Sequence, residues 1–258
     1  MTTARPKPTF RFLDWPGPIP FAHRGGALEN PENTMRAFEH AVSLGYRFVE
    51  TDVQLTADGV LVVFHDDTLD RVTDRLGRIS EMTWAEVSRA RVAGTEPIPR
   101  FDDLLGAWPD LRVNIEPKRE ASVEALADTI RRAGAVDRVC AGSFIDARVT
   151  RMRRLLGPRL CTSAGIGETL RVKAASFGLP VGNVATACLQ VSVKYKGIPV
   201  VDARFIRAAH RLALPVHVWT IDGPAQMHRL LELGVDGIMT DRPTVLRRVL
   251  EERGEWVD

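Results

Sequence analysis

The chain of 258 residues, 45% hydrophobic and 26% charged, is ordinary for a water-soluble protein and long enough to bury one large core. Its net charge of +2 exerts no global pull toward nucleic acid or an anionic membrane surface, and its three cysteines, Cys140, Cys161 and Cys188, lie at unrelated spacings with no CxxC pair, which argues against a disulfide framework or a zinc site. The opening stretch MTTARPKPTFRFLDWPGPIP lacks a continuous apolar run of signal-peptide length, and no later run approaches a membrane span, so a cytoplasmic protein without stable membrane insertion is expected.

Prolines break that opening too often for an amphipathic helix, and it reads as a lead-in covering the bottom of the fold. Ile19 to His23 is a first predicted strand, ending in His-Arg-Gly-Gly, and a helix opens at Glu32-Asn33-Thr34 and runs to about Leu44, with Gly45 as its stop. Phe48 to Leu55 is a second strand; after the Asp58-Gly59 turn, Val60 to Phe64 runs on to His65. From Asp66 to Pro99 the pattern loosens, with a helical piece near Trp84 to Arg91, and this stretch reads as an insertion. A helix over Phe101 to Trp108 leads to a strand over Leu111 to Glu116. Helices over Val123–Ala133, Ala147–Leu156, Glu168–Phe177, Ala203–Leu212, Ala225–Leu233 and Thr244 to about Arg253 then alternate with strands over Val139–Phe144, Leu160–Thr162, Ala187–Val191, Val216–Thr220 and Gly237–Met239. That alternation predicts an α/β fold of right-handed βαβ units, closed into a barrel as a single domain of residues 1–258.

Strands of a parallel barrel, covered outside and packed inside, should be nearly continuous apolar runs, so polar residues at their C-terminal ends mark the active face. His23 and Arg24, Glu50 and Asp52, His65, Glu116 and Lys118, Gln190, Trp219 and Asp241 all fall at or just past the ends of different predicted strands. Side chains two apart on a strand share a side, so Glu50 and Asp52 occupy one patch. Like charges that close raise each other's pKa unless a cation or a proton lies between them; with Glu116 they offer hard oxygen ligands suited to one divalent cation, Mg²⁺ or Ca²⁺. His23 and His65 suit a general acid and a general base, and Arg24 and Lys118 supply positive charge for a phosphate. Together these parts describe cleavage of a small-molecule phosphodiester, with no nucleic-acid partner. Each has a plainer reading: a solvated edge strand for the acid pair, a surface turn for His65, a solvated Lys118, and packing for Trp219. His217, on the same side as Trp219, reads as a satisfied interior histidine.

The blocks HRGG, PENT, VETDVQLTADG, VVFHDDTLDRVT, NIEPK, LQV, VHVWTID and GVDGIMTDRP follow one another from His23 to Pro243, and in that order they resemble the signature blocks of the glycerophosphodiester phosphodiesterase family. The resemblance implies a TIM (β/α)8 barrel with a small insertion after the second barrel strand, about residues 67–100. It also implies hydrolysis of glycerophosphodiesters, such as glycerophosphocholine or glycerophosphoethanolamine, to sn-glycerol 3-phosphate and an alcohol, dependent on a divalent cation. Residue by residue it assigns His23 and His65 to the acid/base pair, Glu50, Asp52 and Glu116 to the metal, Arg24 and Lys118 to the phosphate, and Trp219 to the wall of the substrate pocket. Glu29-Asn30 before PENT, Ser192 after LQV and Asp222 after the Trp-Thr pair depart from the family pattern without removing any of these groups, and leave head-group preference open. Two alternatives stand beside this one: a lysophospholipase D or sphingomyelinase D-like enzyme, which needs an apolar groove for an acyl chain, and a non-catalytic phosphate-binding homologue.

Overall fold

In the computed structural model, which describes residues 10–182 and 184–257, eight parallel strands take turns with helices along the chain. They run β1 (Ile19–His23), α1 (Met35–Ser43), β2 (Phe48–Leu55), α2 (Phe101–Ala107), β3 (Arg112–Pro117), α3 (Ser122–Arg132), β4 (Val139–Ala141), α4 (Asp146–Leu156), β5 (Cys161–Thr162), α5 (Ile166–Ala175), β6 (Leu189–Ser192), α6 (Ala203–Arg211), β7 (Val216–Trp219), α7 (Pro224–Leu233), β8 (Gly237–Thr240) and α8 (Pro243–Glu252). The sheet order is β5-β4-β3-β2-β1-β8-β7-β6. Its two edges meet through a single parallel bridge, Ser163 with Cys188, where Ala187 N donates to Thr162 O and Ala164 N to Cys188 O, each at 2.9 Å. The sheet is therefore a closed (β/α)8 barrel, as expected, with a thin seam beside β5.

After the Asp58-Gly59 turn, Leu61–Val63 folds back antiparallel on the end of β2. Two differences from the sequence expectation bear on the site. The strand expected over Val139–Phe144 stops at Ala141, which frees Gly142 to Phe144 to turn over the mouth. A hairpin of Lys194–Tyr195 against Ile198–Pro199 follows β6, where no element was expected.

The insertion lies between β2 and α2. It holds a 3-10 turn (Ile79–Glu81), a helix shorter than expected (Trp84–Val87) and a hairpin of Arg91–Val92 with Glu96–Pro97. Val62, Phe64, Leu69, Ile79, Val87 and Ala90 give it an apolar cluster of its own. At the opposite end the lead-in closes the barrel from below: Phe12 packs edge-on to Phe48 at 5.5 Å and stacks on Phe21, and the Arg112 guanidinium lies 5.0 Å from the Phe48 ring centre. Residues 1–9 of that lead-in fall outside the described residues.

The motif after β1 has a local cause. Thr34 Oγ1 accepts from Ala37 N at 3.2 Å and starts α1 at Met35, whose Phe38 and Ala41 bury against the barrel wall. Gly25 has φ +80°, and a Cβ there would lie 2.7 Å from the Ala37 methyl; one on Gly26 would lie 2.7 Å from the Pro243 ring. Only paired glycines let this loop pass between α1 and α8 and leave His23 and Arg24 facing the mouth. Among the described residues, no helix is long and apolar enough to cross a membrane.

Candidate active site

Register brings the acids and the first histidine together. Across adjacent parallel strands His23 is the partner of Glu50, and Asp52 of Glu116, and laterally paired residues point to one side of a sheet. Glu50 and Asp52 are only 7% and 2% exposed, so their charges need internal compensation. Lys118 turns back over them, its Nζ 2.8 Å from Asp52 Oδ1 and 2.7 Å from Glu116 Oε2. Burial works against the ammonium, yet the two carboxylates outweigh it and hold Lys118 above its ordinary range. Arg24 approaches from the other side, with Nε 3.5 Å from Asp52 Oδ2, and that oxygen is left buried without a hydrogen-bond partner.

Burial, and then the charge of Asp52, push the Glu50 carboxyl up to about 7, against the pull of His23, Lys118 and Arg24. The folded protein therefore holds this proton more tightly than an unfolded chain does, where the ordinary value is 4.5. Below 4.5 both states are protonated and nothing is lost; as pH rises toward 7 the unfolded chain ionises first, and the folded state is penalised. Metal-free protein is expected to lose on the order of 3 kcal/mol from this one group across that window, and the Glu50→Gln variant to lose none of it. Denaturant melts at several pH values check this; equal slopes for the two proteins would remove Glu50 as the source.

The two histidines are held alike. His23 Nδ1 lies 2.6 Å from Asp241 Oδ1, and His65 Nδ1 lies 2.6 Å from Asp66 Oδ1, which in each ring leaves Nε2 for proton transfer. Burial lowers the pKa of His23, but Glu50 and Asp241 together outweigh it and raise the ring above its usual value. Asp66 is fixed in turn by Arg71 of the insertion, whose Nε donates to Asp66 Oδ2 at 2.5 Å. The same guanidinium donates to both oxygens of Glu32 at 2.7 and 2.8 Å, and Glu32 accepts from Arg24 NH1 at 2.9 Å. One run of ion pairs thus joins the HRGG loop, the PENT turn and the insertion to the second histidine.

The eight residues given a role from the sequence, His23, Arg24, Glu50, Asp52, His65, Glu116, Lys118 and Trp219, line one cavity of ≈ 410 Å³ at the C-terminal mouth of the barrel, whereas Asp241 stands behind His23. Its other half is apolar: Phe144, Ile166, Leu170, Tyr195 and Ile198 are exposed large side chains on that wall, and Trp219 meets Phe144 edge-on at 5.7 Å. Gln190 also lines the cavity and donates to the Asn114 side chain at 2.9 Å rather than to a backbone group. Sequence reasoning did not assign the supporting roles of Asp241, Glu32 and Arg71, which only the folded chain places around the histidines. Asp241 had one signal, its position just past a strand end.

Among the described residues, the side chains of ligand type that lie close enough together to share an ion are Cys140, Cys161 and Cys188, not the three carboxylates. Lys118 stands between Asp52 and Glu116, where its ammonium supplies the charge a shared cation would bring. The carboxylate set still has the chemistry of a hard-cation site: oxygen donors only, one buried oxygen without a partner, and one acid pushed toward neutrality by burial and a like charge.

Known proteins resemble this chain in sequence and in fold. The sequence profile of the glycerophosphoryl diester phosphodiesterase family matches residues 23–245. The chain is 41% identical to the probable glycerophosphodiester phosphodiesterase 2 of Mycobacterium tuberculosis, over 96% of this chain and 97% of that protein. The crystal structure of a glycerophosphodiester phosphodiesterase from Agrobacterium tumefaciens superposes with a TM-score of 0.72 at 25% identity, covering 88% of this chain and 97% of that one. An Oleispira antarctica phosphodiesterase, solved in complex with the product sn-glycerol-3-phosphate, shares the fold with a TM-score of 0.78 at 22% identity, over 91% and 97% of the two chains. With its profile match spanning the histidines, the acids and the loop behind Asp241, this chain belongs to the glycerophosphoryl diester phosphodiesterase family.

Proposed function

We propose that the cavity hydrolyses glycerophosphodiesters to sn-glycerol 3-phosphate and an alcohol, with His23 and His65 as the acid/base pair. The observation that carries this reading is the pair of imidazoles, each with Nδ1 locked by a carboxylate, on the rim of a patch of buried acids and cations. Glu50, Asp52 and Glu116 would hold one divalent cation, Mg²⁺ or Ca²⁺; when bound, it polarises the phosphoryl oxygens. Arg24 and Lys118 orient the phosphate, one ring takes the proton of the attacking hydroxyl, and the other returns a proton to the leaving alkoxide. Trp219 offers a flat wall to the glycerol or the head group. Residues 1–258 act here as one domain, with the insertion as the support of His65. Three unbridged thiols suit a reducing compartment, and the cytoplasm is the location this reading carries.

The apolar half of the cavity favours a second substrate on the same chemistry, a phosphodiester that retains one acyl chain. Phe144, Leu170 and Ile198 form the groove such a chain requires. Parallel assays with glycerophosphocholine and lysophosphatidylcholine test both readings. Release of choline with sn-glycerol 3-phosphate from the first is expected; turnover of neither compound in the presence of metal would overturn the assignment. If the second is also cleaved, Ile198→Ser should slow it several-fold more than the first, since burying an apolar chain against this wall is what the change removes.

A further inference from the structure

Below the catalytic cavity the barrel interior holds a group of side chains that phosphodiester cleavage does not use. Cys140 on β4 and Cys161 on β5 are register partners, and Cys188 stands at the bridge that closes the barrel, one residue before β6. Their sulfurs all lie within 4.8 Å of one another, all three residues are buried, and no disulfide joins them. On the neighbouring strand, β7, His217 is 0% exposed, and neither of its ring nitrogens has a hydrogen-bond partner. It is therefore not the satisfied interior histidine that its position in the sequence suggested, and an imidazole buried with both nitrogens idle is a standing cost.

Each part asks for the same remedy. Cys188 lies two residues before Gln190, the register partner of His217, so its thiol and the imidazole point to the same side of the barrel wall. Three thiols and an imidazole are the donors of a Cys₃His centre, from which a bound ion displaces thiol protons. A tetrahedral zinc with bonds of about 2.3 Å places its sulfurs roughly 3.8 Å apart, within the separation already present. Soft sulfur donors also separate this site chemically from the oxygen-only acids above it. We propose that Cys140, Cys161, Cys188 and His217 bind one Zn²⁺ inside the barrel, distinct from the catalytic cation, and that it clamps β4, β5, β6 and β7 across the seam closed by only one bridge. The spacings that hid this site in the sequence are those of successive barrel strands, not of a zinc knuckle.

The test uses the full chain, expressed with zinc and dialysed against EDTA. About one zinc per chain is expected to survive dialysis, and cobalt-substituted protein should show thiolate-to-cobalt charge-transfer absorption with tetrahedral d–d bands. Both signals should vanish in Cys188→Ser and persist in Glu116→Gln. Wild-type protein with no retained zinc and no thiolate–cobalt band would overturn the site, whether or not the cysteine variant folds. So would zinc lost from Glu116→Gln but kept by Cys188→Ser. None of these readouts depends on phosphodiesterase activity.

Discussion

His65→Ala is expected to lower kcat by about two to four orders of magnitude with little change in metal affinity or melting temperature. The stability expectation follows from position. His65 is about one-third exposed at the rim, and its removal leaves Asp66 still bonded to Arg71, so no buried charge is stranded. The kinetic expectation follows from the other nitrogen: with Nδ1 occupied by Asp66, alanine removes a proton carrier that no neighbouring side chain replaces. Steady-state kinetics with a parallel metal titration separate the two effects. Wild-type turnover in the variant would take His65 out of the mechanism; loss of metal affinity would make it a ligand instead.

Chelation is the second large effect. Dialysis against EDTA should abolish turnover, and Mg²⁺ or Ca²⁺ should restore it, because the acid patch offers oxygen donors only, and burial with the charge of Asp52 pushes Glu50 up to about 7 when no cation lies beside it. Asp52→Asn should go further and leave a protein that neither ion rescues, since Asp52 is the most deeply buried of the three and the one whose outer oxygen lacks a partner. Activity that persists in EDTA, with elemental analysis finding no hard cation on the chain, would end the three-carboxylate proposal. Zinc retained in the barrel interior would not count against it, since that ion is assigned no part in turnover.

Much of this site could be read in the sequence because a barrel forces chemistry to the strand ends. Charged residues that interrupt a buried, apolar strand stand out, and Glu50, Asp52 and Glu116 did so from strands that prove to be neighbours. Shorter-range detail was hidden for physical reasons. The hairpin after β6 is mostly exposed, so burial never patterned it. The pairing of Asp241 with His23 and that of Arg71 with Glu32 were beyond reach for another reason: they span 218 and 39 residues, and one sequence carries no trace of such pairs.

The mouth of the barrel is built in two unlike materials. One side is a lattice of charges in which each member is fixed by the next, from Arg24 through Glu32 and Arg71 to Asp66, so a change to any one disturbs several others. The facing side is set by exposed loop and hairpin residues such as Phe144, Tyr195 and Ile198, which stand outside that run of ion pairs. A lineage could thus trade one leaving alcohol for another by swapping a few outward side chains, while the machinery that breaks the phosphorus–oxygen bond stays as it is.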